Sequence, residues 1–342
     1  MDNSLKLAIF GANGLVTESL LGLIADHQTL QGEIVLMGDE DNAGEPVEFG
    51  RQTLIIAEAA LCDFSEVDIL VSTGEAPCDS DWLAEARDAG CVVLDIGGQL
   101  RAHSDLPLVA AEVNPGVLDG VTRGSFISLP DAATLQCATL LKPLMDKVGL
   151  ERVSLFSCQA VSELGQAGVE EIARQSAQML NGKPARPLLF PKQVAFNLVP
   201  LALETDSRDT QVHEQAVTQH VCQLLDSPVL PLTVSCCWVP VFFGHTQAIH
   251  FSTSRETDLE SLKRIYRQTP YVEFNEDAQN PPTAVTDASG KNVLVVGNLI
   301  ARAESKTDFS LLGVADNLRY GIAGNAVKII EVLVKRLFLS YS

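Results

Sequence analysis

The sequence predicts two domains, an α/β domain followed by an α+β domain, and three observations carry that expectation. The chain has 342 residues, long for a single core and in the range where chains divide. As far as residue 98 it alternates short apolar runs with amphipathic segments, the pattern of a mostly parallel sheet covered on both faces. Beyond that, helices are grouped between strand-rich stretches, which reads as α+β rather than a repeat of the first domain.

Leu5 to Phe10, "LKLAIF", is an apolar strand that runs into "GANG", and "LVTESLLGLIADH" after it has helical spacing in Leu15, Leu20, Leu23 and Ile24. In such a strand, glycine turn and helix, Gly11 allows the tight turn. Gly14 lets a pyrophosphate approach the helix N-terminus, where N–H groups and the dipole favour negative charge. Thr17 stands where a third glycine would complete the fingerprint, and a plain βα turn fits the same residues. Strands follow at 33–38, 53–59, 67–74 and 91–98, with a helix at 81–90. Ser72, Thr73 and Gly74 are small enough for a dinucleotide to pass over the end of their strand. The second strand ends in "GDEDNAGEP" (38–46). Asp39, Glu40, Asp41 and Glu45 would repel a 2′-phosphate, which selects NAD(H) over NADP(H) if a dinucleotide binds; a solvated acidic loop without ligand is the other reading.

"ISLPDAATLQCATLLKPL" (127–144) is a strand that turns through Pro130-Asp131 into a helix reaching about Val148. Many α/β enzymes display a nucleophile at such a junction; here stand Asp131, Ala132 and Ala133, with Asp131 suited to an N-cap. A strand at 152–162 and a helix at 168–180 come next, the helix stopping at Asn181-Gly182 with Pro184 beyond. The Pro-rich stretch 182–210 is a wrapped loop or an interface arm. A helix at 211–225 and strands at 232–241 and 245–253 resume order. "TDLE" (257–260) is a capping box ahead of a helix to Arg267. Strands at 292–305 and 308–317 precede a last helix from Gly321 to about Phe338.

Formal charge is −20, with the acids spread along the chain, which disfavours nucleic acid and anionic lipid as partners. No apolar run reaches membrane-spanning length and the N-terminus enters a strand at once, so a cytoplasmic protein without signal peptide or membrane span is expected. The eight cysteines include no CxxC pair and sit mostly in apolar surroundings, as free buried thiols do; neither disulfides nor a metal site are expected.

The segments "FGANGLV" (10–16), "DIGGQLR" (95–101) with "DLPLVAAEVNP" (105–115), "LPDAATLQ" (129–136), "CQAVS" (158–162), "VPVFFGHTQAI" (239–249) and "VADNLRYGIAGNAVKIIE" (314–331) span essentially the whole chain. In that order they resemble aspartate-semialdehyde dehydrogenases, and more closely their Usg-type paralogues. The resemblance implies a Rossmann-like NAD(P)-binding domain over 1–130 and a catalytic-type, mixed-sheet dimerisation domain over 131–320. It further implies a C-terminal helix, 321–342, returning to the first domain, and a homodimer. Dinucleotide contacts are implied for Gly11, Asn13, Gly14, Leu15, Val16, Ser72, Gly74 and Asn317, with Asp39 at the ribose.

The family's reaction uses a Cys thiolate at the strand-to-helix turn, where helix N–H groups lower its pKa and stabilise an oxyanion. The family's Asn-Cys pair is matched by Asp131 and Ala132. Gln159 matches the substrate-orienting glutamine, His245 the acid/base histidine and Arg101 the phosphate-holding arginine, although a histidine and a glutamine are also ordinary strand residues. Where the family has a substrate-carboxylate arginine, seven residues before its histidine, stands Trp238. A glutamate and a lysine three residues later on one helix are matched by His213 and Ala216. Four losses in one pocket imply a member that does not perform the semialdehyde reaction. The alternatives are direct hydride transfer on a different aldehyde or oxo substrate, with His245 as proton donor, and a divergent semialdehyde dehydrogenase using another thiol.

Overall fold

The computed structural model describes residues 5–27, 30, 32–74, 80–102, 106–201, 209–302 and 304–338. The chain divides into two compact units, Met1–Asp131 with Ile322–Ser342, and Ala132–Gly321.

The first unit is built on strands β1 (Lys6–Phe10), β2 (Glu33–Gly38), β5 (Ala57–Glu58), β6 (Ile69–Ser72), β7 (Val92–Asp95) and β8 (Phe126–Ser128). They form one sheet in the order β5-β2-β1-β6-β7-β8, every pair parallel. Leu7, Ala8, Ile9 and Phe10 are all buried, as a central strand covered on both faces requires. Helix α1 (Leu15–Asp26) packs against the C-terminal helix Ala323–Leu333. Helix α2 (Ser80–Asp88) brings in Trp82, whose ring stacks on Phe64 at 6.0 Å and tilts against Phe10 at 4.7 Å. The expected single strand at 53–59 is overturned. Its start, β4 (Gln52–Ile55), folds back on β3 (Pro46–Phe49) as an antiparallel hairpin, and only Ala57–Glu58 joins the parallel sheet. Gly50, at φ +58, makes the reversal available.

The second unit carries β9 (Leu150–Gln159), β10 (Val199–Pro200), β11 (Leu232–Trp238), β12 (His245–Thr253), β13 (Val272–Phe274), β14 (Leu294–Ala301) and β15 (Asp308–Ala315). The sheet runs β10-β11-β9-β12-β15-β14-β13, with β11/β9 and β13/β14 parallel and the other pairs antiparallel. Its helices are α3 (Ala132–Lys147), α4 (Gly165–Leu180), α5 (Asp209–Leu224) and α6 (Leu259–Arg267), and α3, α5 and α6 pack on the sheet. Gly313 brings α3 close to β15, since a Cβ there would stand 2.5 Å from Leu140 Cδ1. The buried Tyr266 hydroxyl donates to Leu140 O at 2.9 Å. On the opposite face Ser154, Phe156, His250 and Ile300 are exposed.

Three sequence expectations are corrected here. The helix cap before α6 is Asp258 rather than Thr257: its carboxylate accepts from Ser261 N at 2.7 Å and Ser261 Oγ at 2.9 Å. The strand expected over 292–305 stops at Ala301 and is irregular after Gly297, where Asn298 takes φ +49. The strand expected over 232–241 stops at Trp238, ahead of Pro240, which has no N–H to give a ladder.

Candidate functional site

In the first unit, the six sheet strands numbered in chain order stand 3-2-1-4-5-6, so the winding reverses between β1 and β6. Ligands of such sheets sit outside the carboxyl ends of the strands at that reversal. Gly11 leaves β1 at φ +95 and its N–H donates to Met37 O at 3.1 Å. Gly14 is the N-cap of α1 in extended backbone and places no side chain over the helix N-terminus, as anion binding there requires. Leu15, half-buried, and Val16, buried, open the helix. Thr17 explains the missing third glycine: it is buried and donates Oγ1 to Gly11 O at 2.6 Å, closing the turn. Thr73 Oγ1 donates to Phe10 O at 3.0 Å and to Gly11 O at 3.3 Å, tying the end of β6 to the same turn. Ser72 is buried in β6, and Gly74 follows at φ +80.

Asp39 follows β2, and its carboxylate accepts from Asn42 Nδ2 at 2.6 Å and Asn42 N at 3.3 Å, folding the acidic segment into a turn. Asn13 Nδ2 donates to Glu45 Oε2, so the glycine turn is tied to that acidic loop. The buried Asp95 carboxylate accepts from Gln99 N at 3.1 Å and Leu100 N at 3.0 Å and holds the 3-10 turn Gln99–Ala102. The side chain of Arg101 lies outside the described residues.

In the second unit a row of candidates crosses three strands at one level. Gln159 ends β9 beside its register partner Trp238 on β11, and His245 opens β12 one residue before the Thr246–Cys158 pair. Strand alternation turns all three to one face, where Gln159 and Trp238 are 1% exposed and His245 is 0% exposed. Adjacent strands are about 4.8 Å apart, so the row spans roughly 10 Å of backbone.

His245 Nδ1 accepts the Ala160 N–H at 3.1 Å. A ring nitrogen that accepts carries no proton, so the neutral imidazole holds its proton on Nε2. That atom is buried and has no hydrogen-bond partner among the described residues, yet it lies 3.3 Å from Glu163 Oε2; the carboxylate is within ion-pair reach but off the N–H direction. Asn317 fixes this corner: Oδ1 accepts from Gly244 N at 2.9 Å and Ser162 Oγ at 3.2 Å, and Nδ2 donates to Glu163 Oε2 at 3.3 Å. These bonds of Asn317 all fall within the second unit. Glu163 escaped the sequence reading because nothing local marks it. It lies in a 3-10 turn, Val161–Leu164, and reaches His245 only through the sheet.

Gln159 Nε2 lies 3.2 Å from His213 Nε2, with the amide as donor and the ring nitrogen as acceptor. Ala216 is half-buried further along α5. Trp238 meets Phe190 edge-on at 5.6 Å, and its buried Nε1 has no hydrogen-bond partner among the described residues. Ala132 is the first residue of α3, directly after the half-buried Asp131, and is completely buried. Its methyl packs towards Gly321, where a Cβ would stand 2.9 Å from it. One turn along α3, Gln136 Nε2 donates to Ala315 O at 3.4 Å and its Oε1 accepts from Gln247 Nε2 at 3.1 Å. Ala315 is the register partner of His245, so the face of α3 that carries Ala132 lies over the start of β12. Cys137 is buried about 140° round the helix from Ala132.

Comparison with known proteins agrees with this division. Residues 6–121 match the model of the semialdehyde dehydrogenase NAD binding domain, and residues 141–320 match that of the semialdehyde dehydrogenase dimerisation domain. Aspartate-semialdehyde dehydrogenase 2 of Vibrio cholerae is 33% identical over 99% of this chain and 100% of its own length. A USG-1 protein homolog of Pseudomonas aeruginosa is 32% identical over 98% of this chain and 99% of its own. The crystal structure of aspartate semialdehyde dehydrogenase II complexed with ASA, from Vibrio cholerae, superposes with a TM-score of 0.90 at 34% identity, covering 98% of this chain and 99% of that one. Its first domain is thus of a nicotinamide-dinucleotide-binding kind and its second of a dimerisation kind, and the chain belongs to the semialdehyde dehydrogenase family.

Proposed function

We propose that this chain is a homodimeric, dinucleotide-binding member of the family that does not carry out the thiol-dependent semialdehyde reaction. One observation carries the reading: the first residue of α3, beside the strand that opens with His245, is a buried alanine whose methyl packs against Gly321. A thioester route needs a thiolate at that helix N-terminus, and a methyl group has no lone pair with which to attack. Loss of a covalent nucleophile costs on the order of 10⁶ in rate in a well-studied serine protease. Trp238, buried against Phe190, offers no planar cation for a substrate carboxylate.

The residues of the first unit fit a dinucleotide: a left-handed Gly11, a side-chain-free cap at Gly14, and small residues at the end of β6. Bound there, a nicotinamide ring supplies hydride exchange; Gly11 to Val16 would pass its pyrophosphate and Asp39 would accept from its ribose. The acidic loop supports NAD(H) over NADP(H). Exposed Phe156 and Ile300, and a concavity of about 530 Å³ lined by Arg152, Ser154, Thr233, His250 and Ser310, support pairing with a second copy through the open sheet face.

A second reading, direct hydride exchange with another aldehyde or oxo compound, is favoured by His245, whose buried Nε2 proton has no hydrogen-bond acceptor among the described residues. His245→Gln would abolish such an activity. The main reading is tested by incubating the protein with aspartate semialdehyde and NAD or NADP without phosphate and weighing it intact. No acyl adduct is expected; a stoichiometric thioester would overturn the proposal.

A further inference from the structure

We propose that the segment 183–198 is a docking arm for a second copy of this chain, and that pairing through it holds Trp238 in place. The inference rests on the homodimer reading and adds to it a surface and a consequence for the candidate row. The segment contains no helix or strand, and irregular stretches of that length are uncommon in a compact domain unless they serve as binding loops or stay disordered. This one is ordered. Two side chains of α4, Glu171 and Gln175, are 5% and 0% exposed and hold its backbone. Glu171 Oε1 accepts from Leu188 N at 2.8 Å, and Gln175 Oε1 accepts from Val194 N at 2.9 Å and Ala195 N at 3.2 Å.

The fixed backbone carries large apolar side chains into water. Leu188 is 79% exposed and Phe196 62%, and Leu189 and Leu198 are exposed as well. Phe196 also takes φ +56, a left-handed conformation that bulky residues avoid. A strained, pinned segment that presents apolar groups to solvent is suited to a partner.

Three observations make that partner a second copy. The arm lies inside residues 141–320, the part of the chain that matches a dimerisation domain. It leads directly into the edge strand β10, where Val199 pairs with Trp238 and Pro200 with Cys237. Val199 and Trp238 are buried, so alternation turns Pro200, and Leu198 with it, towards the open face that carries Phe156. Among the described residues the strands of that face expose two large apolar side chains, Phe156 and Ile300, few for the roughly 1,600 Å² that stable pairs bury. The arm extends this surface past the β10 edge, and two-fold pairing brings each arm against the other copy.

The same arm reaches inward. Phe190 directly follows Leu188 and Leu189, is buried, and meets Trp238 edge-on at 5.6 Å, and Trp238 is in register with Gln159. A partner seated on Leu188 and Leu189 therefore keeps Phe190 against the indole. Phe190 is a positioning residue for the row.

The test is sedimentation equilibrium over a concentration series, comparing the unaltered protein with the double variant Leu188→Asp, Phe196→Asn. Both side chains are mostly exposed within their own copy, and asparagine tolerates left-handed backbone better than phenylalanine, so the fold, checked by far-UV circular dichroism, should be kept. The dimer dissociation constant should rise by about hundredfold or more, as expected for two apolar side chains removed from an interface. Trp82→Phe leaves Trp238 as the one indole, and its emission should move to longer wavelength as that protein is diluted through dissociation. A dissociation constant moved by less than about threefold would overturn the proposal and leave the homodimer reading standing. A monomer at every concentration, the outcome if the arm meets a different protein, would overturn both. Unchanged Trp238 emission across dissociation would overturn the coupling to the row.

Discussion

Gly97 in "DIGG" offers a sharp test of how the first unit is built. A methyl added at Gly97 would stand 2.2 Å from Gly74 Cα, 2.5 Å from Gly74 N and 2.7 Å from Thr73 O. Favourable carbon contacts lie at about 3.5–4.0 Å, so Gly97→Ala demands that the ends of β6 and β7 separate by roughly 1.3–1.8 Å at their closest point. Every obstructing atom is backbone, which cannot rotate away, so the cost falls at the upper end of the overpacking range, about 3 kcal/mol. For a unit of this size each kcal/mol moves the melting midpoint by about 2–4 °C, and the expected fall is about 6–12 °C. Gly97 does not have positive φ, unlike Gly74, so the substitution reports crowding alone. Gly116→Ala, with no atom within 4 Å of the added carbon, is the control. Scanning calorimetry of both variants decides: a Gly97→Ala midpoint within about 1 °C of the control, where about 3 kcal/mol of overpacking is expected, would refute the close approach.

Titration of NADH and NADPH followed by nicotinamide fluorescence should show the tighter binding for NADH, and Asp39→Ser with Asp41→Arg should narrow the gap; preference for NADPH in the unaltered protein would contradict the acidic-loop reading. Thr17→Val removes the 2.6 Å bond to Gly11 O at constant shape and should cost about 1 kcal/mol in urea unfolding; no change would show that the hydroxyl does not close the turn. Glu171 is held below its ordinary 4.5: burial raises it, but bonds from Arg174, the Leu188 N–H and Gln175 together outweigh that. A lowered folded pKa means that this stabilisation is present above the unfolded value and is lost as pH falls through the folded one. Glu171→Gln should therefore lose stability at pH 7 and flatten the acid limb below about pH 4.5; an acid limb parallel to wild type would exclude it. Phe156→Glu with Ile300→Glu should turn a dimer into a monomer in light scattering, and an unchanged mass would place the interface elsewhere.

Much of the fold was legible because periodicity is legible. The helical spacing of Leu15–Asp26, and the apolar run Lys6–Phe10 bounded by a glycine turn, report their type from local pattern. What escaped is short or fixed by tertiary contact. Val199–Pro200 and Val272–Phe274 are too brief to show a period, and of the hairpin Pro46–Ile55 only the end overlapped the apolar run at 53–59, which looked continuous. Trp238, Gln159 and His245 fall into one row because β9, β11 and β12 share a register, which no sequence spacing displays. Glu163 is the clearest omission: only the assembled sheet brings its carboxylate to His245 and gives it the Asn317 amide. In the other direction, Ala132 at the head of α3 was visible from the strand-to-helix junction alone, and the structure adds the backbone of Gly321 packed against its methyl.

The central claim, that this family member has lost the thiol-dependent chemistry, is tested most directly by steady-state assay of the purified protein. Aspartate semialdehyde, phosphate and either NAD or NADP would be supplied, with reduced nicotinamide followed at saturating concentrations. The account predicts no turnover above a protein-free control with either dinucleotide. Turnover within a few orders of magnitude of an active homologue, abolished by iodoacetamide, would contradict it and return a cysteine to the mechanism.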